Sequence, residues 1–317
     1  MSAPDVGAGL RRAAGWLTRT FLDPPLPLVA VEIRPRAVAA VRLAPHLGGL
    51  ALGAAAVVEL PEGTLDVSLA KANVREAKAL RAALRAALER VGAPSGSGVS
   101  LVLPDPAVRV TLIPAEGIRG RRKEAEETVR FRLHKALPFD IRAARVAWTS
   151  LAGDQVLVAV ALEEVVRGYE EALLDLEYQP GLVEVASLAL LATCASQVAG
   201  DSLLVNWDDG YVSFVLLRGR QPLLLRMLPG EGSKEAVARH AASTLQFYKD
   251  RLGGTAFADV VVRSAALPGE EALRVLGRSL GVSARLVEPW AGLGTTESGV
   301  PVQALAGAAA CALRRAA

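Results

Sequence analysis

Hydrophobic and polar positions follow one arrangement that occurs twice along this chain. Leu28 to Leu43 reads as an apolar strand, a short polar turn at Arg34-Pro35-Arg36 and a second strand. Leu203 to Arg226 repeats this arrangement, with the turn Asp208-Asp209-Gly210 after its first strand and a third strand at its end. Short apolar runs bounded by turn residues predict paired strands, and a helical pattern follows each set. We therefore expect a duplicated α/β architecture.

The remaining pattern predicts alternating helices and strands in both halves. Val67 to Val91 is rich in strong helix formers and closes at Gly92, which predicts one long helix. We expect an N-terminal amphipathic helix and linker over residues 1–27 and a first lobe over 28–200. An inserted α+β subdomain is expected at about 107–185, and a second lobe over 201–317.

Composition excludes several classes of function. With 317 residues and 51% hydrophobic content, the chain has enough apolar residues for two ordinary cores. The net charge of +3 and the 4% of aromatic residues offer neither the basic field nor the stacking platform that nucleic-acid binding uses. Cys194 and Cys311 have no partner at metal-ligand spacing, so we expect small buried hydrophobes, no metal site and a reducing compartment.

The N-terminus predicts an amphipathic helix over residues 10–21, with leucines, alanines and Phe21 on one face and arginines on the other. Such a helix could lie on an anionic membrane surface or could dock on the body of the protein.

Gly230-Glu231-Gly232-Ser233, before a predicted helix, could bind an anion on free backbone amides or could form a turn and a helix cap. We favour the cap, because no Lys-Ser or Lys-Thr pair follows at P-loop spacing.

Several motifs, in a fixed order, resemble the PilM family of type IV pilus assembly proteins. They are the exit His134-Lys135-Ala136-Leu137-Pro138-Phe139-Asp140, the strand Leu204 to Asp208, the turn Gly219-Arg220-Gln221-Pro222-Leu223, the helix around Ser243 to Tyr248 and the terminal stretch Ala304 to Arg315. The resemblance implies an actin-like, ribonuclease H-like duplicated fold with two lobes. It also implies a cytoplasmic protein at the inner membrane that binds a bitopic PilN-like partner and other pilus components.

The family's nucleotide-binding positions carry unsuitable residues here. Its usual Asp-Ile-Gly-Ser-Ser, Asp-Ile-Gly and Ser-Gly-Gly elements correspond to Glu32-Ile33-Arg34-Pro35-Arg36, Asn206-Trp207-Asp208 and Arg263-Ser264-Ala265. Pro35 lacks an amide donor, the arginines add bulk, and Asp208 would repel a phosphate. The degenerate nucleotide positions are therefore Glu32, Arg34, Arg36, Asn206, Asp208, Arg263 and Ser264.

These features predict a scaffold without catalytic residues or a cofactor. The resemblance places partner binding beside the inserted subdomain, where we expect Arg132, Pro138 and Phe139 to contribute. Two alternatives remain open. One is an active ATPase whose arginines contact phosphate and whose cofactor is ATP with Mg²⁺. The other is a GspL-like component of type II secretion.

Overall fold

A computed structural model describes residues 27–46, 49–118, 121–195, 198, 200–289 and 300–313. The helix expected over 10–21 lies outside these residues. No helix in the described ranges is both long enough and apolar enough to span a bilayer.

Three sheets organise the strands. The strands are β1 (Val29–Arg34), β2 (Ala37–His46), β3 (Gly49–Glu59), β4 (Gly98–Leu103), β5 (Arg109–Pro114), β6 (Ala144–Ser150), β7 (Gln155–Leu162), β8 (Gln179–Val185), β9 (Asp201–Asp208), β10 (Tyr211–Arg218), β11 (Gln221–Pro229), β12 (Asp259–Ser264) and β13 (Arg285–Leu286).

The helices pack on the faces of these sheets. They are α1 (Ala77–Arg90), α2 (Arg122–Leu133), α3 (Glu163–Leu174), α4 (Ala186–Cys194), α5 (Lys234–Leu252), α6 (Gly269–Leu280) and α7 (Val302–Leu313), with short 3-10 turns at Asp105–Ala107, His134–Ala136 and Ile141–Ala143.

The duplication predicted from the sequence is confirmed by the two large sheets. Their orders are β3-β2-β1-β4-β8 and β11-β10-β9-β12-β13. In each, an antiparallel meander of three strands leads into parallel strands on the other side of the first strand. The chain is thus an α/β protein with two lobes of equivalent topology.

A smaller antiparallel sheet, β5-β7-β6, forms the inserted subdomain together with α2. Its core includes Ala125, Val129 and Leu133, which recur at the helical spacing seen in the sequence. Residues 179–185, which the sequence assigned to this insert, form β8 and pair with β4 in the first sheet.

The predicted helix over 67–91 is shorter in the structure, and this part of the prediction is wrong. The helix begins at Ala77, while the preceding residues form a loop around the buried Asn73. The Asn73 side chain accepts a bond from the Ser68 amide at 2.9 Å and donates to the Tyr169 hydroxyl at 3.2 Å. A side chain that bonds backbone groups in this way competes with helix formation.

Each lobe has its own apolar core, and a further apolar cluster joins the two lobes. Helices α4 and α7 lie between the two sheets, and their alanines and leucines contact Val41 and Val102 of the first lobe and Val215 and Val261 of the second. Cys194 and Cys311 are buried in this layer, where burial raises the pKa of both thiols to about 12.

Before α5, the alternative of a capped helix is confirmed. The Ser233 hydroxyl accepts a hydrogen bond from the Ala236 amide at 3.2 Å, which is the usual N-cap contact.

Candidate functional site at the junction of the lobes

The two predicted turns face each other across the junction of the lobes. Arg34 ends β1 before the turn Pro35-Arg36, and Asp208 ends β9 before the turn Asp209-Gly210. Gly210 has φ +74°, a conformation that glycine adopts without strain. Both turns therefore place a charged side chain at the end of the central strand of a lobe.

Arg34 and Asp208 form a bidentate ion pair between the lobes. Arg34 Nε lies 2.9 Å from Asp208 Oδ2, and Nη2 lies 2.8 Å from Oδ1. Nη2 also donates to the Ala265 carbonyl at 3.0 Å. The side chains of Arg34 and Asp208 are 5% and 0% exposed, so this ion pair is buried. Two parallel bonds of this kind fix orientation as well as distance.

Arg263, on β12, is the centre of the network. Its Nη1 donates to Asp208 Oδ2 at 2.7 Å and to Asn206 Oδ1 at 2.9 Å, and its Nη2 donates to Glu32 Oε1 at 2.9 Å. Its Nε donates to the Gln303 carbonyl at 3.0 Å. One guanidinium thus connects the central strands of both lobes to the start of α7.

A polar extension leads from this network into the first lobe. Asn206 Nδ2 donates to Asp105 Oδ2 at 2.9 Å, and Asp105 Oδ1 accepts the Ser187 amide at 2.8 Å. The Ser187 hydroxyl also donates to Asp105. All three residues are buried, and hydrogen bonds compensate the loss of water around them.

Helix α7 packs directly against Glu32. A Cβ at Gly307 would lie 2.5 Å from Glu32 Oε2, so only glycine leaves room for the carboxylate. Gln303 Nε2 donates to the Val287 carbonyl at 2.8 Å, which fixes the first turn of the helix beside Arg263.

The charges perturb one another strongly. Burial opposes the charge on Asp208, but Arg263 and Arg34 outweigh it and lower the pKa of Asp208 to about 2. Burial raises the pKa of Glu32 above its ordinary value, and Arg263 only partly opposes this. The pKa of Arg263 is raised because its two carboxylate partners outweigh its own burial.

The structure brings together most of the predicted nucleotide positions. Glu32, Arg34, Asn206, Asp208 and Arg263 bond to one another. Ser264 lies at the edge of this network, where its hydroxyl donates to the Leu267 carbonyl at 3.0 Å. Arg36 lies outside the network: its side chain is 53% exposed and faces Glu62 at 3.4 Å.

Three residues of the site were not predicted from the sequence: Asp105, Ser187 and Gln303. For Asp105 a signal existed, because Pro104-Asp105-Pro106 directly follows a buried strand and predicts a fixed turn. Ser187 and Gln303 lie in alanine-rich helices, and no local pattern distinguishes them.

A second candidate site is a groove of about 390 Å³ between the insert and the first lobe. Residues 147–149 of β6 and 183–185 of β8 line it, and both strands lie at sheet edges. Since side chains alternate between the faces of a strand, three consecutive lining residues mean that the strand edge faces the groove. Leu157, Leu188 and Leu191 supply an apolar floor.

The residues predicted to bind a partner lie elsewhere in the insert. Arg132 donates to the carbonyls of Pro114 and Glu116, and Pro138 is exposed. Phe139 is half-buried and contacts the cores of both the first lobe and the insert. None of them lines the groove between β6 and β8.

Comparison with known structures places this architecture in the actin-like class. A chain of the PilM-PilN type IV pilus biogenesis complex matches with a TM-score of 0.76 and 21% identity, over 93% of this chain and 100% of that one. A Bacteroides thetaiotaomicron protein with an actin-like ATPase fold and unknown function matches with a TM-score of 0.54 and 10% identity, over 90% and 96%. The predicted resemblance to PilM is confirmed at the level of the fold.

The cytoplasmic domain of EpsL, from the type II secretion system of Vibrio cholerae, matches with a TM-score of 0.49 and 10% identity, over 91% of this chain and 93% of that one. No protein-family model and no curated protein sequence matches the chain.

Replacing Arg34 with glutamine should lower the free energy of unfolding by about 3–5 kcal/mol, because Asp208 would lose a buried partner. Chemical denaturation measures this change. Arg36→Gln is the matched control from the same turn, and its exposed ion pair should contribute about 0–1 kcal/mol. Equal effects of the two substitutions would contradict a structural role for the Arg34–Asp208 pair.

The free energy of unfolding should depend on pH through the ionisation of Asp208. Its pKa is depressed in the folded state, so its contribution, on the order of 2 kcal/mol, is present above pH 4 and is lost as the pH falls towards 2. The raised pKa of Glu32 has the opposite effect. The stability contributed by protonated Glu32 is present below pH 4.5 and is lost as the pH rises through the raised pKa. Denaturation of wild type and Asp208→Asn should give a stability difference that shrinks between pH 4 and 2. A difference that grows there would refute the assignment.

Proposed function

We propose that this chain is a non-catalytic actin-like adaptor. In this proposal it binds a cytoplasmic segment of a PilN-like inner-membrane protein in a type IV pilus or related assembly machine, on the cytoplasmic side of the inner membrane. The fold shared with a chain of the PilM-PilN complex supports the choice of machine. The ion network between the lobes is the observation that supports the proposal of a protein without catalytic activity.

In actin-like ATPases, two turns of this kind hold the phosphates of a nucleotide between the lobes. Here Arg34 and Asp208 extend from those turns and bond to each other at 2.8 Å. A triphosphate between the turns would have to break this pair and then lie beside the carboxylate of Asp208. Its own negative charge would meet Asp208 and Glu32, both of which are buried.

The network also weakens the alternative in which arginines bind phosphate. Arg34 and Arg263 both donate to Asp208, and Arg263 donates to Glu32 as well. A nucleotide would therefore compete with partners that are already oriented. Arg36, the remaining arginine of the turn, is exposed and pairs with Glu62.

The groove between β6 and β8 supports the binding part of the proposal. An extended peptide can add to an exposed strand edge through main-chain hydrogen bonds, while pockets along the edge select its side chains. The groove offers two such edges above an apolar floor. The half-buried Trp148 also lines it, while packing against the core of the insert. A short apolar segment of a partner fits this surface.

Millimolar ATP or ADP with Mg²⁺ should leave the melting temperature unchanged, because the phosphate region is filled by Arg34 and Asp208. Thermal unfolding with and without nucleotide measures this. A ligand present at about 100 times its Kd would add about 2.7 kcal/mol of stability. A clear stabilisation that depends on Mg²⁺ would therefore overturn the non-catalytic proposal and favour the ATPase.

Trp148→Ala should weaken the binding of a synthetic peptide with the N-terminal cytoplasmic sequence of the PilN-like protein from the same organism. A buried tryptophan at an interface contributes about 2 kcal/mol or more, so Kd should rise about 30-fold. Calorimetry measures this change in Kd. Phe131→Ala is the matched control, since this aromatic side chain is 75% exposed on α2 and lies outside the groove. Peptide binding that is indifferent to Trp148, or absent from the wild type, would count against the groove.

A further inference from the structure

A cavity of about 200 Å³ lies where the two lobes and the insert meet, and it borders the groove through Val185 and Leu188. Asp105 and Ser187 line it from the first lobe, and Arg109 lines it from the first residue of β5. Ser213 and Met227, which face each other in the β10–β11 pair, line it from the second lobe. Val108, Leu188, Val215 and Leu225 add apolar surface to this partly polar lining.

Two polar groups in this cavity retain capacity for a ligand. The Ser213 hydroxyl is buried, its residue is 3% exposed, and it has no hydrogen-bond partner among the described residues. Asp105 is also 3% exposed and accepts the Ser187 amide, the Ser187 hydroxyl and Asn206 Nδ2. A carboxylate offers about four lone-pair sites, so Asp105 can accept one more bond. Buried polar groups without partners call for an explanation such as a bound group.

The charges around the cavity favour a cation. Glu32 and Asp208 each bond to a buried arginine, whereas Asp105 has no ion pair with any described residue. Asp105 is therefore a buried carboxyl group without a cationic partner among the described residues. The guanidinium of Arg226, which also contributes to the lining, bonds instead to Ser243 at 3.0 Å and to His240 at 3.2 Å.

The geometry points to a binding site for an alkylammonium group in this cavity. The hydrocarbon stem would lie between Val215, Leu225 and Met227, and the ammonium would donate to Asp105 and to the free hydroxyl of Ser213. An ammonium group carries three donors and no acceptor, which suits these two oxygens. The group could come from a small free amine or from a lysine side chain of a protein. This site shares Val185 and Leu188 with the groove, but Asp105 and Ser213 do not line the groove, and the proposal does not depend on the adaptor function.

Arg109 makes the sign of the ligand charge testable. It is exposed at the cavity, where water and salt screen its charge, whereas Asp105 acts from the interior. Removing Arg109 should therefore slightly favour a cation, by up to about threefold in Kd. The same change should weaken the binding of an anion.

Titration of the full chain with n-butylammonium chloride, followed by calorimetry, tests the proposal. Butylammonium should bind in the millimolar range or tighter, while n-butanol and butanoate, of the same length, should bind at least about tenfold more weakly. Equal binding of butanol would show an apolar cavity without cation recognition. Preferred binding of butanoate, or no binding of butylammonium, would overturn the proposal.

Variants assign the binding to this cavity. Ser213→Ala should raise Kd about tenfold, since it removes a hydrogen bond to a charged group, and Asp105→Asn should raise it further. Ser100→Ala, which removes a buried serine hydroxyl of β4 outside the cavity, is the matched control and should leave Kd unchanged. If Asp105→Asn does not fold, Ser213→Ala and Arg109→Ala decide the outcome. An unchanged Kd in Ser213→Ala, or weaker binding in Arg109→Ala, would contradict the site.

A second probe distinguishes a small free amine from a protein lysine as the source of the ammonium group. Nα-acetyl-lysine amide carries the same ammonium on a peptide-like body. Binding of both probes supports the site with a protein lysine as its ligand, and binding of butylammonium alone supports it with a free amine. Binding of neither rejects the site.

Discussion

The relative position of the two lobes depends on the buried ion network formed by Arg34, Asp208, Arg263 and Glu32. Charges removed from water are stabilised only when each finds its partners at good geometry. Arg34 and Asp208 meet from opposite lobes at 2.8 Å, and Arg263 connects Asp208 to Glu32. The apolar helices α4 and α7 supply most of the buried surface between the lobes. Apolar surfaces tolerate sliding, whereas bidentate ion pairs do not, so the network selects one arrangement among those that the apolar layer allows.

The same constraint explains why neighbouring positions accept few side chains. Gly307 must lack a Cβ because Glu32 occupies that space, and Asn206 must present both an acceptor to Arg263 and a donor to Asp105. An amide side chain has both functions, whereas a carboxylate has only acceptors when it is ionised. The polar residues of the junction thus form one connected set, in which the identity of each follows from the charges of the others.

Much of the fold could be predicted from the sequence, because strand pairs and amphipathic helices leave local patterns. The loop around Asn73 could not, since helix formers surround it and its partner Tyr169 lies 96 residues away. The sequence predicts that the turns at Arg34 and Asp208 are unsuited to phosphate, but their mutual bond spans 174 residues and cannot be predicted from either segment. Asp105 and Ser187 are 82 residues apart for the same reason. Local sequence patterns predict the helices and strands, whereas the chemistry of the junction depends on contacts between distant segments.

The inserted subdomain is attached to the body in a particular way. The chain enters its sheet at Arg109 and leaves it at Leu162, and Arg109 pairs with Val160. Both covalent connections therefore lie at one end of two adjacent strands. A body joined along one short edge turns most easily about that edge, and the entering connection begins at Asp105. Tension applied to the insert would thus reach the meeting point of the three units before it deformed either large sheet.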